Sequence, residues 1–114
     1  MHKSQQQVRE FHDLFELPAY DCPTFEAHDR LHTQLTLIEE EVAELDAAFV
    51  NQDMVSCIDA LADILYVVYG FSIALGVDIE PFFDEVHNNN LTKVGPNGEV
   101  IRREDGKVLK PSTY

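Results

Sequence analysis

A chain of 114 residues with 21 acidic and 8 basic side chains has room for one hydrophobic core but not two, so a single domain over residues 1–114 is expected. Its formal net charge of −13 repels phosphate backbones and anionic bilayers, so nucleic acid and membrane are not expected as main partners; a nucleotide bridged by a cation stays compatible. No basic-then-apolar leader opens the sequence, and Cys22 and Cys57 stand in unlike surroundings, so a cytoplasmic protein without a disulfide framework is expected.

Ser4 followed by Gln7 resembles a capping box, and Val8, Phe11, Leu14 and Phe15 recur at helical spacing, which predicts a helix from about Ser4 to Phe15. Pro18 and Pro23 mark an aperiodic connection. A second helix is predicted from about Ala27 to Val50, with Leu35, Ile38, Val42, Leu45 and Phe49 on one stripe expected to be core. Asp53 is placed to cap a third helix that continues to Leu75 and stops at Gly76. This helix is apolar nearly all round after Asp59. Its stretch from Ala60 to Gly76 falls short of the ~20 residues of a bilayer span and reads as a buried core helix. Three other helices of this length would struggle to cover it, so self-association is expected.

Asp78 can cap a fourth helix, roughly Ile79 to Asn89, with Phe82, Phe83 and Val86 facing inward. Beyond it, turn signals at Pro96, Asn97 and Gly98 and at Asp105 and Gly106 flank Val100, Ile101, Val108 and Leu109, which suggests a small hairpin or ordered tail. Five of the eight basic residues lie there: Lys93, Arg102, Arg103, Lys107 and Lys110. The expected fold class is all-α, a bundle of four main helices with a short C-terminal hairpin or tail, assembling as an oligomer.

Two groups of carboxylates carry the chemistry. Glu39, Glu40, Glu41 and Glu44 lie on the second helix, and Asp59 and Asp63 share a face of the third. Asp63 interrupts a run otherwise apolar enough to be buried, where an unpaired carboxylate costs several kcal/mol, roughly 3 or more. A divalent cation answers that charge better than an ion pair, because the neighbouring helix offers acids rather than bases. An antiparallel pairing of the two helices would set Glu41 and Glu44 opposite Asp63 and Asp59 as an all-oxygen cage suited to Mg²⁺ or Mn²⁺. The basic tail would face the far side of a phosphate chain, Lys93 as a point charge and the arginines as forks. His28 and His32 are four apart but lack a third zinc ligand nearby, and no Glu-x-x-His pair of a di-iron bundle is present.

The stretches Ile38–Leu45, Asp59–Gly70, Val86–Asn90 with Lys93, and Arg103–Pro111 resemble the MazG-like all-α nucleoside triphosphate pyrophosphohydrolases, relatives of phosphoribosyl-ATP pyrophosphohydrolase and the dimeric dUTPases. The resemblance implies a helical bundle assembled as a homodimer or homotetramer. It implies metal ligation by Glu41, Glu44 and Asp63, Glu40 as the base for the attacking water, and nucleotide contacts from Asn90 and Lys93. Arg103, Lys107 and Lys110 belong to the matching tail and are expected to bind phosphate. This chain departs from the family pattern at Ala60, where a glutamate would stand, and Asp59 is the expected substitute. The activity implied is Mg²⁺-dependent hydrolysis of a (deoxy)nucleoside triphosphate, such as dGTP, dUTP or dCTP, to monophosphate and pyrophosphate. The alternatives are a non-catalytic helical nucleotide- or metal-binding module and a phosphohydrolase of a non-nucleotide or phosphoribosyl intermediate.

Overall fold

The computed structural model describes residues 1–110 as four helices, α1 (Lys3–Leu14), α2 (His28–Val50), α3 (Met54–Leu75) and α4 (Glu80–Leu91), followed by the strands β1 (Ile101–Arg102) and β2 (Val108–Leu109). The all-α expectation holds. Contacts divide the chain into two compact units, one ending at Ile79 and one beginning at Glu80.

In the first unit α3 packs against both α1 and α2. The α2–α3 connection is three residues long, and Asp53 caps α3 as predicted: its carboxylate accepts from the Ser56 backbone N–H at 3.2 Å and the Ser56 hydroxyl at 2.8 Å. Such a cap stabilises by about 1 kcal/mol. Gly76 ends the helix in the left-handed region at φ 80°, and a Cβ there would run into the Cys22 carbonyl. The connecting loop lies that close because it satisfies the last α3 carbonyls: Tyr20 N–H donates to Ile73 O at 3.2 Å and Thr24 N–H to Leu75 O at 2.9 Å.

Helix α1 begins at Lys3 with His2 as N-cap and no side-chain cap, so the capping box expected of Ser4 and Gln7 does not form; Ser4 already lies inside the helix. Its buried face is Gln5, Val8 and His12. The Gln5 amide donates to Ser72 Oγ at 2.7 Å and Val77 O at 2.8 Å and accepts from Ile79 N–H at 3.2 Å, fastening α1 to the end of α3. His12 Nδ1 lies 2.8 Å from Pro18 O, and since a carbonyl only accepts, that nitrogen carries the proton. Burial lowers the His12 pKa against the raising effect of this hydrogen bond, so the buried ring is neutral.

The α2–α3 seam is built from polar and small side chains. Gln34 and Ala48 are buried on α2, Ala60 and Gly70 on α3, and Gln34 Nε2 donates to Val67 O at 3.0 Å. A Cβ at Gly70 would overlap the Gln34 amide and lie 3.3 Å from His12 Nε2, so the close approach of three elements depends on that glycine.

The apolar stripe of α2 does not form the core of this unit. Leu35, Val42 and Phe49 are exposed, and Ile38 and Leu45 are half-buried. On α1, Phe11, Leu14 and Phe15 are likewise exposed, and on α3 so are Met54, Val55, Ile58, Leu61, Leu65, Tyr66 and Val68. One packed neighbour on each side of α3 covers only part of its circumference, so the expectation of a buried core helix fails for the single chain. The helix is 22 residues long with a mean hydropathy of 1.7 in its most apolar window, long and apolar enough to cross a bilayer by length and composition; core helices pass the same test.

In the second unit α4 has no buried residue, and Phe82, Phe83 and Val86 are exposed rather than inward-facing. The predicted hairpin is present: Ile101 pairs with Leu109 and Arg102 with Val108, around a turn closed by Gly106 at φ 90°. Arg103 grips Asp105 across that turn through Nε at 2.9 Å and Nη2 at 2.6 Å, which holds the Asp105 carboxyl below its usual range. An isolated bridge joins Val94 to Val100. Pro111, at the end of the matching tail, lies outside the described residues.

Candidate metal centre

Glu41 and Glu44 are one turn apart on α2 and face Asp63 of α3; one carboxylate oxygen from each lies within 4.8 Å of the other two. Gln34 opposite Val67, Glu41 and Glu44 opposite Asp63, and Ala48 beside Ala60 give the antiparallel register that the acid spacing called for. Glu41 is half-buried, and its Oε2 is buried without a hydrogen-bond partner among the described residues. Burial raises the Glu41 pKa, and a hydrogen bond with Glu44 and the charges of Glu44, Asp63 and Glu40 raise it further. Three crowded carboxylates of this kind need a shared proton or a cation, and hard divalent ions prefer such all-oxygen donors.

Asp63 is exposed, not buried as its apolar neighbours suggested. The demand for positive charge comes instead from the buried oxygen of Glu41. Glu40 is exposed and near enough to Glu41 to act on its charge. On a helix turning about 100° per residue, Glu40 lies about 40° round from Glu44, at the rim of the seam.

Asp59 lies outside the three-carboxylate cluster. With Glu44 and Asp63 it lines an adjoining cleft of about 470 Å³ that runs past Ala48 and Ala60 to Asn51, Asp53 and Ser56 at the helical turn. Ala60, in the place of the family glutamate, is 4% exposed and lines the same cleft. The Glu41–Glu44–Asp63 cluster forms without Asp59.

The other expected residues belong to the second unit. Asn90 is exposed at the end of α4, and half-buried Lys93 donates its N–H to Asn90 O at 3.2 Å. Arg103 is engaged by Asp105, and Lys107 and Lys110 are exposed. His28 and His32 are exposed, and both cysteines are free thiols.

Sequence reasoning missed two polar groups of the first unit, Arg30 Nε and Gln34 Oε1, both buried without a hydrogen-bond partner among the described residues. Arg30, Gln34 and Glu41 share one face of α2 at steps of four and seven. That period was readable, but its polar residues masked it beside the apolar stripe.

The sequence matches the family described as phosphoribosyl-ATP pyrophosphohydrolase over residues 8–90, a span that holds Glu40, Glu41, Glu44, Asp59, Asp63 and Asn90. Uncharacterized protein L479 of Acanthamoeba polyphaga mimivirus is 35% identical over 79 residues, which cover 66% of this chain and 32% of that protein. The chain thus matches about a third of the length of this relative. With the four-helix architecture and the α2–α3 acidic cluster in place, the chain belongs to the phosphoribosyl-ATP pyrophosphohydrolase family, within the MazG-like all-α nucleoside triphosphate pyrophosphohydrolases.

Proposed function

We propose that the protein hydrolyses a (deoxy)nucleoside triphosphate between its α- and β-phosphates, releasing monophosphate and pyrophosphate, with Mg²⁺ or Mn²⁺ as cofactor. The observation that carries this reading is the Glu41–Glu44–Asp63 cluster with its buried, unpartnered Glu41 oxygen, in a chain of a pyrophosphohydrolase family. These three carboxylates would hold the ion, whose chemistry is to neutralise charge developing on the phosphates. Glu40 beside them would accept the proton of the attacking water as its oxygen bonds to phosphorus and the bridging P–O bond breaks. Asn90, Lys93, Lys107 and Lys110 would bind the nucleotide and its phosphates. Arg103 would act mainly through the hairpin, since its fork already grips Asp105.

The exposed apolar rows of α2 and α3 support self-association as a homodimer or homotetramer, because so many exposed large apolar side chains rarely stay uncovered in solution.

The test is a panel of canonical and modified NTPs and dNTPs, with phosphoribosyl-ATP included, incubated with Mg²⁺ or Mn²⁺ and resolved into monophosphate, diphosphate, pyrophosphate and phosphate. Equimolar monophosphate and pyrophosphate from one or two dNTPs is the expected result. Turnover of phosphoribosyl-ATP alone would replace the dNTP assignment. Buried Ala60 in the place of the family's fourth acid favours one further reading, a module that binds nucleotide or metal without turnover. Metal-dependent pyrophosphate release would remove it.

A further inference from the structure

We infer that Ala60 and Asp59 together make this a three-carboxylate centre: the ion bonds Glu41, Glu44 and Asp63 directly, keeps a water where the family glutamate would reach it, and is held on the Asp59 side only through water. The inference rests on the metal-dependent reading above and concerns how the same site holds its ion.

Glu44, Asp63, Asp59 and Ala60 line one cleft of about 470 Å³, and no basic side chain is among its lining residues. A water takes about 30 Å³, so the cleft has room for several beside the carboxylates.

On α3 the positions of Asp59 and Ala60 differ by one residue and about 100°. Ala60 lies about 60° round from Asp63 and is buried in the seam with α2. Asp59 lies about 40° round on the other side of Asp63 and is exposed. A carboxylate at position 60 would reach the ion from within the seam. Asp59 approaches from the rim instead, on a side chain one methylene shorter than glutamate, and it is outside the group whose oxygens gather within 4.8 Å. A direct bond to Mg²⁺ needs an oxygen at about 2.1 Å, whereas an ion-bound water can donate to a carboxylate at about 2.7 Å and so extend its reach.

An octahedral ion that takes one oxygen from each of three carboxylates keeps about three waters. Phosphate oxygens replace such waters. The centre therefore holds a bare ion less tightly than four carboxylates would, and offers the substrate's phosphates one more position on it.

The experiment follows Mn²⁺ binding to the metal-free chain by electron paramagnetic resonance without nucleotide, counting ion-bound waters from line broadening in ¹⁷O-labelled water. Wild type is compared with Asp59→Ala, Ala60→Glu and Ala60→Met, with helix content and thermal unfolding recorded for each metal-free protein. Asp59→Ala should weaken binding about tenfold or more while the water count stays the same, as expected of a group that acts through a bound water. Ala60→Glu should tighten binding about tenfold or more and remove one water; Ala60→Met, with similar bulk and no hard donor, should not tighten it. Unchanged affinity in Asp59→Ala, or one extra water there, would overturn the inference, as would a folded Ala60→Glu that binds no more tightly or an equal gain in Ala60→Met. Should Ala60→Glu not fold, Asp59→Ala decides alone, because its side chain is exposed. A protein that shows these responses but releases no pyrophosphate from any nucleotide would overturn the proposed activity and leave the ligand set standing. Turnover without these responses would do the reverse.

Discussion

Two faces of α2 differ by one residue in sequence and by everything in environment. Gln34, Glu41 and Ala48 recur every seven residues and line the seam with α3; Leu35, Val42 and Phe49, the residues immediately after them, are exposed. A step of about 100° separates the two rows. The face with the greater hydrophobicity is not the face this chain packs against itself. Helices approach closely where side chains are small, and the Ala48, Ala60 and Gly70 contacts supply that, while the carboxylates between them find a supported but partly solvated seat. The outer row stays exposed in the single chain.

If the inner row carries the chemistry, its acids can be neutralised without unfolding the bundle. Asp63→Asn should leave helix content unchanged and lower turnover about 10²- to 10⁴-fold, the scale of losing metal-assisted or acid–base catalysis. Full activity in the folded variant would detach the cluster from the reaction. Steric tightness of the same seam should show next: Gly70→Ala forces a methyl group onto the Gln34 amide and should cost about 1–3 kcal/mol in denaturant unfolding. A neutral result there would mean that the helices are not held as closely as described.

His12, buried where α1 meets α3, makes stability depend on pH. Its pKa is lowered in the folded protein below the ordinary 6.5, chiefly by burial, with Arg30 and Arg9 lowering it further and Asp13 and the Pro18 carbonyl opposing. The unfolded chain therefore binds the proton more readily, so the stabilising contribution is complete above about pH 6.5 and is lost as pH falls below it. Unfolding midpoints measured between pH 7.5 and pH 5.5 should decline in wild type and decline less in His12→Asn, whose amide can still donate to Pro18 O. The outer row should give the smallest change in monomer stability. Val42→Lys should shift it by no more than about 0.5 kcal/mol, yet dissociate the proposed oligomer in sedimentation. A large loss of monomer stability would place Val42 in a core.

Much of this arrangement was legible in the sequence, and the failures share a cause. Asp53 and Gly76 announced the ends of α3 because a capping carboxylate and a left-handed glycine act locally. The hairpin followed from its turn residues for the same reason. The acidic triad was found because Glu41, Glu44 and Asp63 need only helical geometry and an antiparallel turn to meet. What failed depended on which surface covers which. Periodicity marked the rows of Leu35, Phe11 and Phe82 as apolar but could not say that their own chain leaves them exposed. The burial of Asp63 was inferred from its neighbours and fell with that assumption, while Gln5, His12 and Gln34 are buried through specific hydrogen bonds that composition does not reveal. Ser4 lost its capping role because the N-cap of α1 is His2, two residues earlier.

The most direct test of the acidic seam is a Mn²⁺ titration followed by electron paramagnetic resonance, on wild type and on Glu41→Gln, with Mg²⁺ as competitor. The account predicts bound Mn²⁺ in wild type, displaced by Mg²⁺, and loss of that binding in a folded Glu41→Gln variant. Mn²⁺ binding that survives Glu41→Gln unchanged, or no binding to folded wild type, would contradict it.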